Sequence, residues 1–298
     1  MSAIFWLIRW NCKVETPHLA LLIALWLVLT SAFLAGVYHL DRAGWNWFLI
    51  TGLDVTIAEN YPELIDLSPE EFVSRFAMFS LDELDSNVIM LTNGGYDFNQ
   101  TVIVPKGALL MIEPGTTLRF GPGCSLISYS PIIARGTIRN PVTFRAQSRL
   151  FKWGVVGVVQ AGKSIFEYVF FENARQALVN GVDFFAGLSI IESQVEITHC
   201  QFTDMYGKDA VNVRYGNTLM KNNVFKNAYK DGVDLDGGSG EISHNLFINC
   251  QDEGIDLSEN FNILVFENKI FDKKGGRIGA ENNLEEIISL NTLDFLKN

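Results

Sequence analysis

Asp231-Gly232-Val233-Asp234-Leu235 and, 22 residues on, Glu253-Gly254-Ile255-Asp256-Leu257 are one phrase written twice. A weaker copy precedes them, Asp209-Ala210-Val211-Asn212-Val213, and a degenerate one follows, Gly276-Arg277-Ile278-Gly279-Ala280. A second phrase keeps the same step: Asn223-Val224-Phe225 returns as Asn245-Leu246-Phe247 and as Asn268-Lys269-Ile270. A period near 22 marks a solenoid, in which each repeat is one coil and neighbouring coils bury a shared core. Leucine-rich repeats share that period but demand a leucine frame with helical pieces, which is missing here. The remaining solution is a parallel β-helix: short strands, three to a coil, with like residues stacked at the inter-strand spacing of about 4.8 Å.

The same pattern reaches back to Asn93-Gly94-Gly95. Val102-Ile103-Val104, Leu109-Leu110-Met111-Ile112, Thr117-Leu118-Arg119-Phe120 and Val155-Val156-Gly157-Val158-Val159 are short apolar runs closed by Gly or Pro, which read as strands. Residues 93–280 would give roughly eight coils and a rod of about 40 Å. In that register Asn223, Asn245 and Asn268 form an inward amide ladder, each side chain bonding its neighbours above and below. Phe202, Phe225, Phe247 and Ile270 form a core row. His199 and His244 fall two coils apart, about 10 Å, too far to share a metal. Cys200 and Cys250 do not align, and no C-x-x-C pair is present, which argues against a disulfide and against zinc.

The flanks differ. Residues 1–18 carry Arg9 and Lys13; Leu19 to Val37 has no charge and spans about 28 Å as a helix, a bilayer core. A cleaved signal peptide is the rival reading, but its apolar core is usually shorter and the cleavage site here is poor. Residues 19–40 are therefore expected to be a single-pass signal anchor in the lipid bilayer, with a cytoplasmic N-terminus and an extracytoplasmic solenoid. Residues 41–92 form a linker and N-terminal cap. Within it, Ser68-Pro69-Glu70-Glu71 is a helix start with a capping box. After Ala280 the pattern breaks, and Leu284, Ile287 and Ile288 suggest an amphipathic C-terminal cap over 281–298, either a helix or a truncated coil.

The net charge is −11. Nucleic acid is not expected as a partner, since its binding needs clustered Lys and Arg; the charge suits cations, or a neutral or cation-bridged substrate. The rows concentrate this charge. Asp209, Asp231 and Glu253 share one row, and Asn212, Asp234 and Asp256 a second; Asp252 and Asp236 lie beside them. Carboxylates about 5 Å apart repel by roughly 3 kcal/mol at an effective dielectric of 20. Three outcomes are open: one keeps a proton, a cation such as Ca2+ bridges them, or they splay into water.

The chain from about 93 to 280 resembles the pectate-lyase-like right-handed parallel β-helix superfamily. The phrases Ile112-Glu113-Pro114-Gly115-Thr116-Thr117-Leu118-Arg119-Phe120 and Trp153-Gly154-Val155-Val156-Gly157-Val158-Val159 are similar to coils of its members. Lys230-Asp231-Gly232-Val233-Asp234-Leu235 followed by Gln251-Asp252-Glu253-Gly254-Ile255-Asp256-Leu257 resembles the paired motifs of polygalacturonase-type glycoside hydrolases. That resemblance implies catalytic roles for Asp231, Asp252 and Glu253, with Asp252 as general acid and the other two activating water. Asp209, Asp234, Asp236 and Asp256 would bind substrate or a cation. The family's histidine in a Gly-His-Gly phrase and its Arg-x-Lys clamp are missing; the coil reads Lys273-Lys274-Gly275-Gly276-Arg277. A lyase would need Ca2+ and a base, with Arg214, Arg277 and Lys274 as candidates. The expectation is an all-β protein that binds or processes a cell-envelope or extracellular polysaccharide, as a hydrolase or lyase. The alternative is a non-catalytic scaffold or a glycan- or protein-interaction module.

Overall fold

The computed structural model describes residues 58–272, 276–281, 284–289 and 291–295. The expected anchor, residues 19–40, and the head before it lie outside the described residues. Among the described residues no helix is long and apolar enough to cross a membrane.

The solenoid has three faces. One coil runs through Gln201–Met205, Asp209–Arg214 and Asn217–Lys221, and the next through Val224–Ala228, Asp231–Asp236 and Ser239–Ser243. Stacked coils thus generate sheets I, II and III, with nine, seven and ten strands among the described residues. Pairing along them is parallel, except where Ser80–Leu81 runs antiparallel to Val88–Leu91 and opens sheet III. The parallel coil strands begin at Val88, slightly before the Asn93 boundary read from the sequence.

Alternation places Val, Ile and Phe inside. The expected Phe row holds in register, Phe202 with Phe225, Phe225 with Phe247, and Phe247 with Ile270. Ring centroids are 4.9 Å apart for the first pair and 4.6 Å for the second, with planes within 5°. The row continues back through Phe171 and Phe144. Stacking of this kind adds to the area each ring buries.

Coils turn from sheet III into sheet I through one left-handed residue, Tyr168, His199, Asn222, His244 or Glu267. The two histidines are therefore turn residues: His199 stacks on Tyr168 at 4.8 Å, and His244 contacts Glu267 at 2.5 Å. The asparagine after this turn faces inward. Asn223 Nδ2 donates to Asn245 Oδ1 at 2.9 Å, and Asn245 Nδ2 to Asn268 Oδ1 at 3.0 Å. A further rung follows, because Asn268 Nδ2 donates to Asn291 Oδ1 at 3.0 Å.

That rung accounts for one correction. The helical option for the C-terminal cap over 281–298 does not form. Leu284–Ser289 and Thr292–Phe295 are strands that extend sheets III and I. Ile287 and Ile288 favour a strand over a helix, and Asn291 joins the ladder in register.

The N-terminal cap forms as its sequence requires. The helix Pro69–Arg75 has Ser68 as N-cap, with both capping-box bonds to Glu71 present. It buries Phe72, which packs on Phe76 and Phe79, and Phe79 meets Phe98 at the start of the aromatic column. One feature has no sequence counterpart. Ala177–Val179 and Val182–Phe184 form a hairpin around Asn180-Gly181, both with positive φ as a tight two-residue turn needs. Ala58–Glu59 pairs with its outer strand as a strap, and Tyr61 N–H donates to Asn180 Oδ1 at 2.5 Å.

Candidate functional site

Sheet II carries the acidic rows. Asp209 pairs with Asp231, Asn212 with Asp234, and Arg214 with Asp236; one coil on, Asp234 pairs with Asp256. Glu253 N–H donates to Asp231 Oδ1 at 2.8 Å. Strict alternation would send 209 and 212 to opposite faces. The backbone avoids this with two consecutive inward positions. Val211, Val233 and Ile255 are in the core, and the residues before them also face inward. A Cβ at Gly232 would lie 2.8 Å from Phe247 Cε1, and one at Gly254 2.7 Å from Ile270 Cδ1. The rows on either side of this bend therefore share the outer face.

The bend requires small residues, Ala210, Gly232 and Gly254. Gly232→Ala should cost about 1–3 kcal/mol by overpacking, because the added methyl would also meet the Gly254 carbonyl oxygen at 2.6 Å. A urea titration reads this directly; an unchanged midpoint would mean that 232 does not face the core.

The carboxylates settle their crowding with protons. Asp209 is 2% exposed and Asp231 3%. Burial, then the charges of Asp234 and Asp231, push Asp209 up to about 10, against the opposing pull of Lys230. Asp209 is therefore neutral at pH 7, and its hydrogen bonds favour the charged forms of Asp231 and Asp234. Burial, followed by Asp236 and Asp256, raises Asp234 to about 7. Asn212 Nδ2 donates to Asp234 Oδ2 at 3.0 Å and to Asp236 Oδ2 at 3.4 Å. Burial is also the leading cause of the upward shifts at Asp231, Asp236, Glu253 and Asp256. Lys230 Nζ lies 3.7 Å from Asp231 Oδ2.

Asp252 stands at the margin. Arg277 donates to its carboxylate and to its carbonyl oxygen, and Arg277 Nη1 lies 3.8 Å from Glu253 Oε1. The structure thus gathers Asp209, Asp231, Asp234, Asp236, Glu253 and Asp256 onto one face, while Asp252 turns to Arg277. In the following coil Gly279 has no side chain to block them: a Cβ there would meet Glu253, and Asp256 Oδ1 at 3.0 Å. Of the candidate bases, Arg214 donates to the Asp183 carbonyl and lies over the Phe185 ring at 4.9 Å. Lys274 lies outside the described residues.

Among the described residues no grouping of three or more His, Cys, Asp or Glu is set to hold a metal ion. The oxygens are committed to one another through Asp209 and to the Asn212 amide. Sequence reasoning placed the rows but missed the aromatic residues at their edge, Tyr215 and Phe261. These interrupt the repeat instead of obeying it, so no periodic signal marks them.

Residues 150–293 match the family model described as a right handed beta helix region. The solenoid is a right-handed parallel β-helix. This β-helix fits the pectate-lyase-like superfamily, and the matched stretch contains every carboxylate of the site. Such a fold is consistent with interaction with a glycan or its processing. No curated protein matches the chain. Among solved structures, ORF18 of Geobacillus virus E2 is similar at 11% identity with a TM-score of 0.27, over 81% of this chain and 62% of that one. The chain spans under two thirds of that protein, and the likeness carries no argument.

Proposed function

We propose that this β-helix binds and hydrolyses a polysaccharide at the cell envelope, with residues 19–40 as its membrane anchor and the solenoid outside. The observation that supports it is the crowding of Asp209, Asp231, Asp234 and Asp256 in adjacent rows of one face, where burial and like charge raise Asp234 to about 7. It sets a carboxyl that titrates near 7 beside carboxylates that can accept a proton, the pairing that glycoside hydrolysis uses. In this reading Asp234 gives its proton to the glycosidic oxygen as the bond to the anomeric carbon breaks. Water adds to that carbon and passes a proton to Asp231 or Glu253. Asp234 replaces Asp252 as the donor because the Asp252 carboxylate is engaged by Arg277.

The full chain is to be incubated with neutral and acidic glycans and assayed for new reducing ends. Activity should fall as the pH rises through about 7, where Asp234 loses its proton. Asp234→Asn should lower the rate by at least about 100-fold. Absence of both reducing ends and unsaturated products across the panel would sink the proposal. The second reading, a non-catalytic glycan-binding module, is favoured by the missing Gly-His-Gly histidine; it requires binding without cleavage. Retention of the full chain in carbonate-washed membranes tests the anchor.

A further inference from the structure

The acidic face ends where sheet II turns into sheet III, and a different surface begins there. Five successive coils each take this corner through one left-handed residue: Gln160, Glu192, Tyr215, Gly237 or Glu259, with φ of 47, 49, 56, 61 and 56°. Four of the five are polar or glycine. Tyr215 is the exception, a bulky side chain in a conformation that such residues adopt rarely. Strain of this kind is a pointer to function when it is observed. The ring has a seat: a Cβ on Gly237, one rung below, would come within 2.7 Å of Tyr215 Cδ1 and Cε1. The rest of the ring is open, and Tyr215 is 65% exposed. Phe261, at the start of the sheet III strand two coils beyond that of Tyr215, is 50% exposed.

Both rings line one cavity of about 590 Å³, with the amides of Gln194 and Asn217 on its wall. The charged groups there are already satisfied. Lys163 Nζ pairs with Glu196 at 2.7 Å, and the Glu192 carboxylate accepts from the Gln160 amide at 2.9 Å. What remains to meet a ligand is two aromatic faces, neutral amides and bare glycine backbone. A neutral pyranose has the matching chemistry, one face of C–H groups and a rim of hydroxyls. A uronate would bring a charge that finds no unpaired cation on this wall. Along the chain the cavity adjoins the acidic face, since Tyr215 follows Arg214 and Gly237 follows Asp236.

We propose that this cavity is a subsite for a neutral pyranose unit, stacked on Tyr215 with Phe261 as the second wall. The assignment rests on the glycan reading above and names the sugar class that reading leaves open. The test is calorimetric titration of the full chain with hexameric fragments of β-glucan, xylan, mannan and galacturonan. A neutral fragment should bind more tightly than the galacturonan. Tyr215→Ala should weaken it about two- to tenfold, the scale of one aromatic contact, and Tyr215→Phe should restore it. Melting temperatures of the variants verify that they fold. Unchanged affinity in both Tyr215→Ala and Phe261→Ala overturns the subsite while leaving the glycan reading standing, as does tightest binding of the galacturonan. If the wild-type chain neither binds nor cleaves any fragment, both fall.

Discussion

Lowering the pH from 8 to 5 should raise the thermal stability of this chain, and Asp209→Asn should remove most of that gain. Asp209 sits near 3.8 when unfolded and about 10 when folded. Between those values the native state holds a proton that the unfolded chain has lost. Stability from this group is therefore fully present below about 3.8 and is lost as the pH climbs towards 10. The slope is at most about 1.4 kcal/mol per pH unit, so three units give as much as about 4 kcal/mol. Asp234, raised to about 7, adds in the same sense over the lower part of the range. Asp97 works in the opposite sense, since Arg119 lowers it, but its contribution changes only below about 3.8. Asparagine keeps the shape and a donor for Asp231 and Asp234 without a proton to lose. Asp209→Asn should thus be more stable than the wild type at pH 8. Melting curves across this range decide it: a wild type that is less stable at pH 5 than at pH 8, or a variant with the same slope, would show that Asp209 does not hold the proton.

The second large effect is expected at the ladder. Asn245 is 1% exposed. Its Oδ1 accepts from the N–H and the Nδ2 of Asn223, both at 2.9 Å, and its Nδ2 donates to the Met220 carbonyl at 2.9 Å. Asn245→Ala strands these three buried groups, each costing about 1–3 kcal/mol, and should lower stability by roughly 3–6 kcal/mol. Asn245→Asp keeps the acceptor but loses the donors and sets a charge against Asn268 Oδ1, so it should also be severe. Asn291 makes the matching three bonds, accepting from the N–H and Nδ2 of Asn268 and donating to the Val265 carbonyl, but it is half-buried where Asn245 is buried, so water can replace part of what Asn291→Ala removes and the cost should be smaller. Urea midpoints of the three variants provide the test; equal losses at 245 and 291 would contradict a cooperative ladder.

The ladder, the Phe row and the acidic rows were legible because each is the same residue type returning at the coil period. Stacking turns that period into contact with no further information. The shared outer face of the two acidic rows was not legible, since alternation alone separates 209 from 212. It depends on Gly232 and Gly254 facing inward against Phe247 and Ile270, residues from the next coil's sheet I. Asn291 lay hidden in a segment whose apolar spacing also suited a helix. The hairpin at Asn180-Gly181 falls outside the repeating phrases, and its pairing with Ala58–Glu59 joins segments 120 residues apart that share no pattern. Tyr215 and Phe261 occupy positions where neighbouring coils carry different residues, so only three-dimensional packing joins them.

The strap has a kinetic consequence. Successive parallel strands of the solenoid pair over short stretches of chain, as Phe225 does with Phe247. Each coil can therefore dock on its predecessor soon after it exists, and ordering can spread along the rod as a zipper. Ala58–Glu59 meets Leu178–Val179 across 120 residues, a contact whose loop-closure entropy falls due only once the intervening coils stand. The strap is expected to be a late latch, closing over a rod that is already wound.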